Sequence, residues 1–210
     1  MTYYDARWGY RKVDARRYER RRYGGGRRWL NQRLLERALA RALARVPRGG
    51  LVLDAPCGTG LLFPVLHHLG YRTVGADIGH AMLEVARGRA HGLGLLRADL
   101  EHPPLRAGSV DAVVSSRFVM LLPPHIRPAV LRGMAELTHG PLVVTLCHPY
   151  TLKNFFRGLR RALGLTTKRS PRLSRHALRA EIQAAGLELE RLIAVAPMFS
   201  EVWVVVLRKP

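Results

Sequence analysis

Apolar residues recur along this chain in two alternating rhythms. Leu51-Val-Leu53 is a short unbroken aliphatic run, with Gly49-Gly50 before it and Asp54 after it. Such a run reads as a strand buried on both faces. Tyr71–Asp77, Leu93–Arg97, Ser109–Ser115 and Pro141–Cys147 read as further strands. Between them, residues 61–69, 78–87 and 124–139 have helical character, the last with Ile126, Val130, Met134 and Leu137 on one face. Ahead of the first strand, Leu35, Leu39, Ala42, Leu43 and Val46 form a stripe over Trp29–Val46, which Pro47 and Gly49-Gly50 end. After the fifth strand, residues 151–163 place Leu152, Phe155, Phe156, Leu159 and Leu163 on one face. Lys153, Arg157, Arg160 and Arg161 occupy the other. Ser174 opens a further helix and Gly186 closes it. Two extended runs, Leu187–Ala196 and Glu201–Leu207, meet at Pro197-Met-Phe-Ser200 as a hairpin. Five strands alternating with helices predict an α/β fold with a doubly wound parallel sheet. A terminal hairpin makes its last strand antiparallel.

The chain of 210 residues suits one domain. Residues 29–210 are read as that domain, with residues 151–175 as an acceptor-side helix and loop. Residues 1–28 are read as a basic, Tyr/Arg-rich arm with Gly24-Gly25-Gly26 as a hinge. No apolar run approaches the roughly 20 residues that span a bilayer, and no secretory core follows Met1. Two cysteines, Cys57 and Cys147, give no disulfide framework. A cytoplasmic location is the expectation. The net charge is +20, from 35 basic and 15 acidic side chains. It is segregated: +11 over residues 1–50, +1 over 51–150 and +8 over 151–210. A neutral core between basic flanks points either to an anionic partner near those flanks or to arginines that only decorate solvated faces.

The chemistry centres on Leu51-Val-Leu-Asp-Ala-Pro-Cys-Gly-Thr-Gly60, a strand, a glycine turn and a helix start. Glycines let the backbone approach a ligand, and the N–H groups of a helix start face it. A dinucleotide fingerprint would need a third small residue where Phe63 stands. Asp54 would repel a pyrophosphate but attract an ammonium or sulfonium. Asp77 ends the second strand 23 residues after Asp54, and one carboxylate can accept from two vicinal hydroxyls.

These residues resemble the first motif of the class I S-adenosylmethionine (SAM) dependent methyltransferases, acid-x-Gly-x-Gly-x-Gly, with Pro56 at the first glycine. The resemblance implies their seven-stranded Rossmann-like sheet with a reversed last strand. It implies a cofactor site of Asp54, Ala55, Pro56, Cys57, Gly58 and Gly60, with Asp77 on the ribose and Ile78 and Met82 after it. Asp99 would take the adenine amino group, Leu100 would lie beside the ring, and Ser115 would end the fourth strand. Arg117 and Phe118 would face cofactor and acceptor. SAM is the expected cofactor, S-adenosylhomocysteine its product, and no metal is expected.

Methyl transfer is a direct displacement and needs no covalent residue. A hydroxyl or protonated amine acceptor would need a base. His148 is the first candidate, Tyr150 the second. Arg157, Arg160 and Arg161 are expected to hold an anionic group, and Met198 and Phe199 to line the acceptor side. The leading reading is a methyltransferase acting on a small anionic acceptor. An RNA or nucleotide methyltransferase and a SAM-binding regulator without turnover are the alternatives. Nucleic acid is not favoured, and oligomeric state is left open.

Overall fold

The computed structural model describes residues 28–90, 94–100, 102–164 and 173–210. The arm and most of the loop from 165 to 173 lie outside the described residues. The chain runs α1 (Arg28–Ala42), β1 (Leu51–Asp54), α2 (Phe63–His68), β2 (Arg72–Asp77), α3 (His80–Arg87) and β3 (Leu95–Arg97). It continues through β4 (Ala112–Ser116), a 3-10 turn (Val119–Leu121), α4 (Arg127–Glu136), β5 (Leu142–Cys147) and α5 (Leu152–Ala162). Then come α6 (Arg175–Ala184), β6 (Glu188–Ala194) and β7 (Val202–Arg208).

The seven strands form one sheet in the order β3-β2-β1-β4-β5-β7-β6. β1 pairs in parallel with both β2 and β4, so the winding reverses beside β1. β7 runs antiparallel to β5 on one side and to β6 on the other. This is the expected doubly wound, seven-stranded Rossmann-like sheet with a reversed last strand.

Alternation along each strand divides the core. Val52, Ala112, Val114, Val143, Val204 and Val206 pack against Leu39 of α1, Leu43 and Val46 just after it, and Val65 and Leu66 of α2. Leu53, Val113, Leu142, Val144, Trp203 and Val205 pack against Val130 and Met134 of α4 and Leu178 and Ile182 of α6. α1 therefore buries the stripe its spacing gives. Its last carbonyls are met from afar: the Arg191 guanidinium donates to the carbonyls of Arg41 and Ala42 at 2.6 and 3.0 Å. A cation at a helix C-terminus also favours the helix dipole.

Two elements differ from expectation. α4 begins at Arg127 rather than at residue 124, with Pro128 in its first turn, where the missing N–H costs nothing. Ahead of it, Val119–Leu121 makes a separate 3-10 turn. Arg127 explains the break. Its Nε donates to the Leu122 carbonyl at 2.9 Å and its Nη1 to Glu181 Oε1 of α6 at 2.9 Å. The other difference is α5, which buries none of its residues.

Candidate functional site

The glycine turn sits where the winding reverses, at the carboxyl end of β1 and between β2 and β4. Open α/β sheets bind ligands in this crevice. Its backbone is tied to both neighbours: Ala55 N donates to the Val114 carbonyl at 2.9 Å and Cys57 N to the Ala76 carbonyl at 2.8 Å. Pro56 follows a cis peptide. Gly58 and Gly60 have φ of 53° and 73°, a region that favours glycine. A side chain at Gly58 would meet nothing within 4 Å, so the turn leaves room beside it.

Two carboxylates face this turn from adjacent strand ends, in different circumstances. Asp77 is clamped: its Oδ1 accepts from Gly79 N and its Oδ2 from Gly58 N, both at 2.8 Å. Burial raises its pKa, and these backbone donors pull it back down. Asp54 is 1% exposed, and neither of its carboxylate oxygens has a hydrogen-bond partner among the described residues. Burial first, and the Asp77 charge second, push its pKa well above the usual carboxylate range. A buried carboxylate without a partner is costly. A cationic ligand group beside Asp54 would relieve that cost, so the residues present fit a ligand that is positive there and hydroxyl-rich near Asp77.

The other expected cofactor residues line the same edge of the sheet. Ile78 is half-buried, Met82 is buried in α3, and Gly79 caps that helix without a side chain. Asp99 is half-buried and Leu100 buried, just past β3. Ser115 is fully buried near the end of β4, and its Oγ has no partner among the described residues. Cys57 is buried, which pushes its thiol pKa far up and leaves it unreactive. Asp111, just before β4, lies away from this edge. Its carboxylate accepts from Leu51 N at 2.6 Å and meets His139 Nε2 at 3.0 Å, at the opposite end of β1.

On the side expected to face the acceptor, the chain leaves β4 through Arg117, whose φ is 57°. A non-glycine residue there is strained, and such strain clusters at functional sites. Thr145 of β5 holds the bend: its Oγ1 accepts from Arg117 N at 2.8 Å. Phe118 is half-buried against the core. His148 follows β5 and is buried, its ring stacked on Trp203 with centroids 4.4 Å apart. Its Nδ1 accepts from Tyr150 N at 3.1 Å, which places the proton of the neutral ring on Nε2. Tyr150 is exposed, and its hydroxyl accepts from Arg175 N at 3.3 Å. Leu152 N donates to the Met198 carbonyl at 3.0 Å, so α5 starts against the β6–β7 hairpin tip. Met198 and Phe199 are exposed at that tip, as are Arg160 and Arg161 on α5, and Arg157 is half-buried. Cys147, at the end of β5, is half-buried. Among the described residues no cluster of His, Cys, Asp or Glu is grouped to hold a metal.

Sequence reasoning missed Arg127, Arg191 and Thr145. Each acts through a partner 28 or more residues away, and no spacing rule points to it.

Residues 52–139 match the family described as Methyltransferase domain. Over 75 residues the chain is 37% identical to a probable 18S rRNA (guanine-N(7))-methyltransferase of Dictyostelium discoideum. Over 68 residues it is 40% identical to a malonyl-[acyl-carrier protein] O-methyltransferase of Yersinia pestis. These matches take in 35% and 32% of this chain. The chain spans about a quarter of the length of these curated relatives, 26% in each case. Among solved structures, the magnesium protoporphyrin IX methyltransferase of Synechocystis with bound S-adenosylhomocysteine superposes with a TM-score of 0.72, at 19% identity over 98% of both chains. The likeness to that structure is one of fold.

Proposed function

We propose that this protein, whose residues 52–139 match the family described as Methyltransferase domain, transfers a methyl group from SAM to a small anionic acceptor. One observation carries the cofactor reading: a buried Asp54 with no partner among the described residues, next to a clamped Asp77, at the glycine turn where the sheet reverses. Asp54 would face the positive part of the cofactor, Asp77 its ribose hydroxyls, and Asp99 with Leu100 its adenine. Bound SAM supplies an activated methyl carbon.

The protein's own work is then alignment and exclusion of water, which reach about 7–11 kcal/mol at best. Arg117 and Phe118, just past β4, would face cofactor and acceptor. The basic residues Arg157, Arg160 and Arg161 support an anionic acceptor, with Met198 and Phe199 at the rim. For a hydroxyl acceptor, His148 is the candidate base. To take a proton on Nδ1 it must give up the Tyr150 N–H bond. Tyr150 is the alternative.

The rRNA-methylating relative keeps an RNA acceptor as a second reading. The family match ends at residue 139, before β5 and α5, so it carries no information about the acceptor side. Incubating the protein with labelled SAM and a cell extract tests the proposal. A low-molecular-weight anionic product is the expected result. Label in RNA would favour the second reading. SAM binding by calorimetry with no label transferred to any fraction would favour a regulator.

A further inference from the structure

α5 is mounted inside out. At about 100° per residue, Leu152, Phe155, Phe156, Leu159 and Leu163 share one arc of the helix. In a surface helix that arc normally turns to the core. Here Phe155 is 68% exposed, Phe156 58%, Leu159 51% and Leu163 65%, while the half-buried positions are Asn154, Arg157 and Gly158 on the opposite side. The outward apolar arc is extended at its start by the hairpin tip, where Met198 and Phe199 are exposed and Met198 bridges to Thr151. Tyr150 adds an exposed ring with a polar end beside it.

We propose that this face of α5, with the hairpin tip, docks on an anionic membrane surface. The helix has eleven residues, too short to cross a bilayer, and among the described residues no helix is long and apolar enough to do so. Its composition is that of a helix lying in the interface plane. Phe and Leu form one side, Lys153, Arg157, Arg160 and Arg161 the other, and the helix has no acidic residue. Charge decides between occupants. A second copy of this chain would bring +20 against +20 and press basic α5 helices together. An RNA would satisfy the arginines but would set phosphates against Leu152, Leu159, Leu163 and Met198, which offer neither stacking planes nor hydrogen bonds. A bilayer with anionic headgroups meets both needs at once: acyl chains for the apolar arc and headgroup charge for the basic one. Docking there would bring the carboxyl ends of the strands to the lipid surface, so an amphiphilic acceptor could enter without crossing water.

Vesicle flotation with the full chain tests this. The protein should float with vesicles of phosphatidylcholine mixed with phosphatidylglycerol, float poorly with phosphatidylcholine alone, and lose binding as salt rises. The triple substitution F155S/F156S/L159S should cut partition at least tenfold, with the circular dichroism spectrum and SAM affinity unchanged. F156S alone should give a smaller loss, and keeps the test if the triple variant fails to fold. The proposal is overturned if the wild-type protein does not float or if F156S and the triple variant float as well as wild type. It is also overturned if sedimentation shows a wild-type dimer that the substitutions dissociate, or if they abolish binding to an oligoribonucleotide instead. SAM binding is read separately in each case, so failure of docking leaves the methyl-transfer reading standing.

Discussion

The ring of Phe63 fills the space that a side chain on Gly75 would need. A Cβ built on Gly75 would collide with Phe63 Cζ and lie 2.9 Å from Cys57 Sγ. The dinucleotide fingerprint keeps helix and strand close with a small residue on the helix. This chain carries the small residue on β2 and the large one on α2, so the same closeness is reached from the opposite side. Gly75→Ala should therefore overpack the contact and cost about 1–3 kcal/mol in urea unfolding. Adding Phe63→Leu should recover part of the loss. If the two substitutions are additive, the residues are not sharing one space.

Asp54 sets ligand binding against stability. Its raised pKa means that the folded protein is favoured while Asp54 is protonated. That contribution is full below the usual carboxylate value, and is lost as pH rises through the raised one. Asp54→Asn cannot ionise, so it should raise the melting temperature of the ligand-free protein at pH 7, with the gain shrinking under acid. The same substitution should weaken SAM binding. In the native protein, binding should release a proton, seen as a dependence of calorimetric enthalpy on buffer ionisation. A lower melting temperature for Asp54→Asn at pH 7 would mean that Asp54 has a structural partner.

Asp77→Ala removes the acceptor of both the Gly58 and Gly79 amides. A lost charge-assisted hydrogen bond is worth roughly 1.5–3 kcal/mol. SAM affinity should fall by about tenfold or more, read by calorimetry on folded protein. An unchanged dissociation constant would reduce Asp77 to a brace for the turn.

Arg117→Gly should separate two roles. Relief of the left-handed backbone should stabilise the fold by about 1 kcal/mol. Loss of the guanidinium should raise the KM for an anionic acceptor, with SAM affinity unchanged. A variant that is less stable and turns over normally would show that Arg117 serves the fold alone.

The sheet was legible because β1, β4 and β5 carry aliphatic runs that end near turn residues, and five extended segments with helices between them admit few topologies. Asp54 and Asp77 were legible as strand-end acids, and the structure adds that one is clamped and the other has no partner among the described residues. The exchange between Phe63 and Gly75 was not legible, because volume balance between a helix and a neighbouring strand depends on register. The Arg127–Glu181 pair, 54 residues apart, was hidden for the same reason. Periodicity located the stripe on α5, and it gives no information on which way a helix faces.

Arg127 is buried between its Leu122 carbonyl and Glu181, so Arg127→Gln should leave Glu181 half-satisfied. A cost of about 3–5 kcal/mol in chemical denaturation is expected. Loosening of the 3-10 turn should follow as faster amide exchange at Val119–Leu121. A cost under about 1 kcal/mol would class the pair with exposed ion pairs.

β7 comes last among the strands and lies between β5 and β6. During synthesis β5 must therefore wait with one edge bare while α5, α6 and β6 emerge, some fifty-five residues later by sequence. Until Val202–Arg208 leaves the ribosome, the growing chain offers that edge to any extended segment nearby, which is the geometry of strand mispairing. Ribosome-bound chains halted before residue 202 should be protease-sensitive and prone to chaperone capture. Chains tethered through an added C-terminal linker long enough for β7 to clear the exit tunnel should resist. The final zip of one strand, entering between two waiting partners, is where quality control of this protein would act.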